Sequence, residues 1–486
     1  MFSTSLFHMS SFLTVLYVVN FLIAFTVIFL EHKNPSKTLA WIMVLFLLPG
    51  FGILLYFLFS QNISRQKLFR LTTFEEANIS NSLFHQMSDI KNKIYVFARP
   101  EAEKWSDMIR LNQTYNWSYF TQDNSLQIFT DGNEKFRSLF ADIENASHSI
   151  NVMYYILKPD TTGRTLMRLL TQKAKEGLEV RLLVDALGGR SLSQQHFDEL
   201  KAAGGKVAMF FPLKLKWVNL KLNYRNHRKI VVIDGEIGYI GGFNVANEYV
   251  GKSKRFGNWR DTHLRLVGGC VQDLDSRFVL DWRFASKEDL VMAHSFYPLQ
   301  ETGSTTGVQI LSCGPDSPNT EIRTAYLKMI TSAKKSICIQ TPYFIPDESI
   351  LEALKMAAMS GVDVRVMIPC MPDHMFVYWA TYCYAGILLN SGAKVYIYEN
   401  GFLHAKTITV DDEISSVGSA NFDIRSFTLN FEANAMIYDA DIAVQMRQIF
   451  EEDMRCCRQL TRQAYRNRSL LIKFKESISR LLSELL

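Results

Sequence analysis

The sequence predicts an α/β protein built as two tandem copies of one strand-and-helix unit behind a hydrophobic hairpin. Three observations carry that expectation: two uncharged apolar runs near the amino terminus, a strand–helix–strand pattern that occurs twice, and a string of histidine, lysine and aspartate that ends each copy. At 486 residues and 48% hydrophobic content the chain can bury a large core, which excludes a disordered protein. The charge of +5, from 53 basic and 48 acidic residues, suits an anionic lipid surface without excluding an ordinary soluble protein. Seven cysteines without Cys-x-x-Cys spacing exclude a zinc ribbon and point to reduced thiols rather than a disulfide framework.

The hairpin comes first. Phe12 to Leu30 and Leu39 to Phe59 are uncharged over 19 and 21 residues, each close to the ~20 that cross a bilayer as a helix. The segment between them, Glu31 to Thr38, is short, polar and contains Pro35, as a connection between antiparallel helices requires. The first ten residues carry no basic side chain, so a cleaved signal peptide is not expected. Lys33 and Lys37 in the loop against Arg65, Lys67 and Arg70 beyond it slightly favour a cytoplasmic body. Residues 63–122 show no clear periodicity and read as a juxtamembrane linker.

The repeated unit follows, with residues 123–300 as the first copy and 301–460 as the second. Ser149 to Tyr155 reads as a buried strand, Thr162 to Glu176 as a helix and Val180 to Val184 as the next strand. Ser336 to Gln340, Glu348 to Ser360 and Val364 to Ile368 repeat that order, and the turn at Ala203-Gly204-Gly205 is answered at Ser391-Gly392-Ala393. Strands alternating with helices of this length imply a largely parallel sheet covered by helices. The tail, residues 461–486, places Leu470, Leu471, Phe474, Ile478, Leu481, Leu482 and Leu485 at helical spacing. It reads as an amphipathic helix that either docks on the body or lies on anionic lipid.

Each copy ends in His-x-Lys-x4-Asp, at His227, Lys229 and Asp234 and again at His404, Lys406 and Asp411. Seven, eight and ten residues past each aspartate stand Gly241, Gly242 and Asn244 in one copy and Gly418, Ser419 and Asn421 in the other. On a strand, His and Lys two apart share a face, so the two copies offer two imidazoles and two ammonium groups. That set fits a phosphodiester, whose equatorial oxygens gain negative charge under nucleophilic attack. One imidazole can attack phosphorus while the other moves the proton, and no metal or other cofactor is required.

These strings resemble the paired HKD motifs of the phospholipase D superfamily over residues of about 120 to 460. The hairpin with Asn34-Pro35-Ser36-Lys37-Thr38-Leu39-Ala40-Trp41 and the run Gly418 to Ser426 resemble its cardiolipin synthase branch. The resemblance implies two phospholipase D-type αβα sandwich repeats with the active site between them. It implies His227 as nucleophile, His404 as general acid and base, and Lys229, Lys406, Asn244 and Asn421 as phosphate ligands, with Ser419 a further donor. Asp234 and Asp411 would brace strands. Asp261 and Glu432, 17 and 11 residues beyond the two asparagines, fit the carboxylates that orient the histidines. Gly242 in place of a serine departs from the symmetry of the copies.

The activity so implied is transfer of a phosphatidyl group from one phosphatidylglycerol to another, giving cardiolipin and glycerol, by a multi-pass protein of a bacterial cell membrane. The alternative keeps the covalent step but ends in water, as a membrane-anchored phospholipase D or phosphodiesterase. The low net charge argues against nucleic acid as substrate, and an inactive scaffold would require a broken motif. A structural reading is favoured for His263 and His374. Tyr154, Tyr155, Tyr343 and Phe344 read as core aromatics or as walls of a substrate entrance, and the basic, aromatic stretch from Lys214 to Arg225 as a solvated loop or an interfacial segment.

Overall fold

A computed structural model describes residues 14–26, 35–59, 68–69, 71–212, 224–292, 302–317 and 319–483. The predicted repeat is present. The first copy runs through strand Ser149–Tyr154, helix Thr161–Lys175, strand Glu179–Asp185, helix Gln195–Ala202 and strand Lys206–Phe210. The second answers with Ser336–Gln340, Glu348–Met359, Asp363–Pro369, Met375–Asn390 and Lys394–Tyr398. Equivalent aspartates, Asp160 and Asp347, cap helices Thr161–Lys175 and Glu348–Met359 by accepting from N–H groups of the first turn.

The sheet is mixed rather than largely parallel. The three strands just named run parallel in each copy, while most of the remaining ladders of the sheet are antiparallel. The motif strands Ile230–Ile233 and Thr407–Val410 fold straight back into Ile237–Gly241 and Ile414–Gly418. The three residues joining each pair are too few for a crossover, which forces antiparallel pairing. Two strands not anticipated from the sequence, Thr121–Phe129 and Thr306–Cys313, pair antiparallel with Thr121 opposite Val308 and fuse both copies into one 16-stranded sheet. Helices cover both faces. In the first copy Phe136, Leu139, Leu166, Leu170 and Phe197 pack on Ile150, Val152, Val180 and Val184, while Asn151, on the opposite face, donates to Asp275 of helix Cys270–Ser286. In the second, Phe450 of helix Ala440–Met454 packs with Cys338, Met367 and Tyr396, opposite the core that holds Ile337, Ile339 and Val366.

The expected linker is largely helical. Thr73–Lys91, Pro100–Lys104 and Ser106–Asn116 are helices, and Trp105, Met108 and Ile109 are buried in the core of the second copy. Thr72 and Glu75 form a capping box, and Glu75 also pairs with Arg283 at 2.6 Å. Polar spacing on this segment conceals its apolar contacts, since each short helix contributes only a few core side chains.

The chain divides into two compact units, residues 64–212 with 225–486, and residues 1–63 with 213–224. Within the smaller, residues 14–26, Pro35–Leu47 and Phe51–Phe59 are helical, Asn20 donates to the Leu45 carbonyl at 2.6 Å, and Trp41 meets Tyr56 edge-on at 5.4 Å. The run read as one span from Leu39 is thus two helices, parted before Pro49, which cannot extend a helix it does not begin. No helix among the described residues is long and apolar enough to cross a membrane. Residues 213–223 of the basic, aromatic stretch lie outside the described residues.

Candidate active site

Two very short parallel ladders assemble the site. Arg225–Asn226 pairs with Asn430–Phe431, and in the same register the next residues are His227 and Glu432. Trp259–Arg260 pairs with Phe402–Leu403, and the next residues are Asp261 and His404. The His227 N–H donates to the Phe431 carbonyl at 2.9 Å and the His404 N–H to the Arg260 carbonyl at 2.7 Å. Each histidine is therefore seated beside a carboxylate of the other copy: His227 Nδ1 lies 3.0 Å from Glu432, and His404 Nδ1 lies 2.6 Å from Asp261. Both carboxylates are fully buried. With Nδ1–H given to the carboxylate, Nε2 is left as the reactive nitrogen on each ring.

Burial lowers the proton affinity of both imidazoles, His404 down to about 4, which favours the neutral form of each ring. Lys229 donates to the His227 carbonyl at 2.5 Å, and Lys406 donates to the His404 carbonyl with its ammonium 2.8 Å from His404 Nδ1. Burial pushes Lys229 down to about 7 and Lys406 down to about 8, opposed for Lys229 first by Glu432 and for Lys406 first by Asp261. The charge of each lysine acts on the other lysine's histidine, which places both copies in one electrostatic pocket.

The depressed lysines have a measurable consequence. An anion favours their protonated forms, so its binding near pH 8 takes up protons, and affinity falls as pH rises past about 8. Calorimetric titration with sulfate at pH 8, in buffers of different ionisation enthalpy, should show uptake of about one proton. Binding without uptake would contradict these shifts.

The carboxylates differ in their surroundings. Glu432 also accepts from Ser419 Oγ at 2.5 Å and Asn430 Nδ2 at 3.2 Å, so Ser419, expected as a phosphate donor, instead spends its proton on the carboxylate. Asp261 accepts from the Thr262 N–H at 2.8 Å. Gly242 explains the broken symmetry: a Cβ there would lie 1.9 Å from Asp261 Oδ1. The space that holds a serine in one copy holds the aspartate in the other. Gly242→Ser should displace Asp261 and lower turnover ~10²-fold or more by freeing His404; near-normal turnover would show that the aspartate has room to move.

Asn244 is buried, accepting from the Ile156 N–H at 3.0 Å and donating to Tyr249 Oη at 3.1 Å, while Asn421 Oδ1 has no partner among the described residues. Asp234 and Asp411, grouped with the motif residues from sequence, stand at the far ends of the motif strands. Asp234 accepts from the N–H groups of Ser147, His148 and Ser149, and Asp411 from those of Lys334, Lys335 and Ser336. Both are braces, away from the imidazoles. Gly241 and Gly418, the matching glycines of the two copies, sit in strand pairs opposite His263 and Asn434. His263 is buried without a partner for either ring nitrogen among the described residues, and His374 is exposed at a helix start.

The aromatic pairs split. Tyr155 packs edge-on against His227 at 4.9 Å, and Tyr343 donates to Asp373. Tyr154 and Phe344 are core. Residues the sequence reading missed are Trp259, 5.1 Å from the His404 ring, and Arg228, whose guanidinium forms a two-point pair with Asp281 at 2.9 Å and donates to the Glu432 carbonyl. Arg228 lies inside the first motif, between its histidine and lysine, and that position was the available signal.

Known proteins resemble this chain across both copies and the amino-terminal segment. Residues 139–254 and 326–454 match the family described as "Cardiolipin synthase, PLD-like domain", and residues 18–61 match "Phospholipase D-nuclease N-terminal". The chain is 49% identical over 475 residues to the major cardiolipin synthase ClsA of Bacillus subtilis (strain 168), covering 98% of each chain. It is 48% identical to a cardiolipin synthase of Staphylococcus aureus (strain Mu50), covering 97% of this chain and 95% of that one. Among solved structures, the phosphatidylserine synthase of Haemophilus influenzae superposes with a TM-score of 0.59 at 16% identity, covering 78% of this chain and 97% of that one, a likeness of fold.

Proposed function

Because the chain belongs to the cardiolipin synthase family of phospholipase D-like proteins, we propose that its paired imidazoles move a phosphatidyl group between two phosphatidylglycerols. The observation that carries the reading is the crossed bracing, His227 on Glu432 and His404 on Asp261, which leaves two Nε2 atoms and two lysines in one pocket. The donor phosphodiester lies between the lysines, and its charge raises the proton affinity of His404. His227 Nε2 then bonds to phosphorus as the bond to the glycerol headgroup oxygen breaks, and His404 Nε2 gives that oxygen its proton. Glycerol leaves. A hydroxyl of the second phosphatidylglycerol next gives its proton to His404 while its oxygen displaces His227, which yields cardiolipin and restores both rings. Lys229 and Lys406 hold the equatorial oxygens in both steps.

The hydrophobic amino-terminal segment anchors the chain in a bacterial cell membrane as a two-span hairpin, with the catalytic body on the cytoplasmic side. Its support is the two uncharged runs of 19 and 21 residues, the second forming two successive helices joined at Leu48-Pro49-Gly50. Purified protein given phosphatidylglycerol in micelles should form cardiolipin and free glycerol in equal amounts and retain that activity in a strong chelator. Phosphatidic acid as the only product would replace transfer with hydrolysis.

A further inference from the structure

The carboxy-terminal helix is attached the wrong way round for a soluble protein. Leu470–Leu481 buries Glu476 and Ser479, each 1% exposed, and turns Leu470, Leu471, Phe474 and Leu481 outward at 82, 63, 64 and 73% exposure. An amphipathic helix that only docked on the body would bury the other stripe. The attachment is nonetheless a built one. Glu476 receives Arg468 at 2.8 Å, and the Arg468 guanidinium stacks 3.5 Å over Tyr465. Tyr465 in turn occupies the space beside Gly386, where any Cβ would lie 1.8 Å from the tyrosine ring. Tyr384 and Ser483 hydrogen-bond across the same helix pair at 3.2 Å. The polar stripe is thus locked onto helix Met375–Asn390, and that contact leaves the apolar stripe facing outward.

Beside the outward stripe the charge is positive. A cavity of about 360 Å³ is lined by Asn390, Arg462, Arg466 and Lys473 together with Tyr465 and Arg468. Of these cations, only Arg468 makes an ion pair among the described residues. Arg480 is likewise exposed and forms no such pair there. Exposed apolar side chains bordered by unpaired cations are complementary to one kind of surface, the boundary between acyl chains and anionic phosphate headgroups.

From this arrangement we infer that the carboxy-terminal helix is a second membrane-contact element, distinct from the amino-terminal hydrophobic segment. Leu470, Phe474 and Leu481 enter the acyl boundary of a bilayer, and the pocket of Arg462, Arg466 and Lys473 seats the phosphate of an anionic phospholipid. The inference needs no particular reaction at the histidines.

The full chain carrying Phe474→Trp, reconstituted in vesicles, tests it by quenching with lipids brominated on the acyl chains. In vesicles containing phosphatidylglycerol, the emission added by the new tryptophan should be at least halved by bromolipid. In phosphatidylcholine alone, or with Arg462→Gln, Arg466→Gln and Lys473→Gln combined, the quenching should fall at least twofold. Added emission indifferent to bromolipid would overturn the membrane contact. Quenching equal in both lipids, or unchanged by the charge substitutions, would overturn the anionic site. Cardiolipin formation is not part of either readout, so a failure here is separable from a failure of the transferase reading.

Discussion

His227→Ala should lower cardiolipin formation by at least ~10³-fold, about 4 kcal/mol of lost transition-state stabilisation. The size follows from the covalent route: without Nε2 of His227 the phosphatidyl group has nothing to rest on between donor and acceptor, and the two-step path closes. Glu432, Lys229 and Lys406 remain in the variant, so substrate binding should change little and the loss should fall on kcat. The side chain is mostly buried but not part of a hydrophobic core, and thermal melting should move only slightly. Turnover retained above about one hundredth would place the nucleophile elsewhere.

Glu432→Gln should cost ~10²–10⁴-fold in kcat with KM little altered. The amide keeps the shape of the carboxylate but not its charge, and its NH2 group can face His227 Nδ1, which favours the tautomer with the proton on the attacking nitrogen. Asp261→Asn should cost a comparable factor on phosphatidylglycerol through the other ring. The two separate with a substrate whose leaving group is p-nitrophenol, which departs without a proton. Asp261→Asn should then regain a burst of p-nitrophenol, because His404 is not needed in the first step, while Glu432→Gln should show none. Equal bursts from both variants would contradict the division of labour between the rings.

The doubled motif made the chemistry legible because strand geometry alone puts His227 with Lys229 and His404 with Lys406 on one face each. Asp261 and Glu432 could be picked out as carboxylates of the right kind, but not their crossed partnership. That depends on the parallel ladders Arg225–Asn226 with Asn430–Phe431 and Trp259–Arg260 with Phe402–Leu403, two residues long and joining distant segments. Nothing in local periodicity marks so short a pairing. Ser419 was expected as a phosphate donor from its position, and the antiparallel pairing of Ile414–Gly418 with Asn430–Tyr438 sets its hydroxyl 2.5 Å from Glu432. The parallel elements of each repeat were visible as alternating runs. The antiparallel half of the sheet was not, because Thr121–Phe129 carries polar residues along much of its length. In the tail the amphipathic pattern was plain from sequence, whereas the choice of which stripe faces the body rests on Gly386 and Tyr465, more than seventy residues apart.

The covalent intermediate itself is the most direct target. Asp261→Asn enzyme, mixed with a phosphatidyl p-nitrophenol ester and quenched in alkali to preserve a phosphorus–nitrogen bond, should yield on peptide mass spectrometry a phosphatidyl adduct at His227. An adduct at His404 instead, or a burst of p-nitrophenol with neither ring modified, would contradict transfer through the first-copy imidazole.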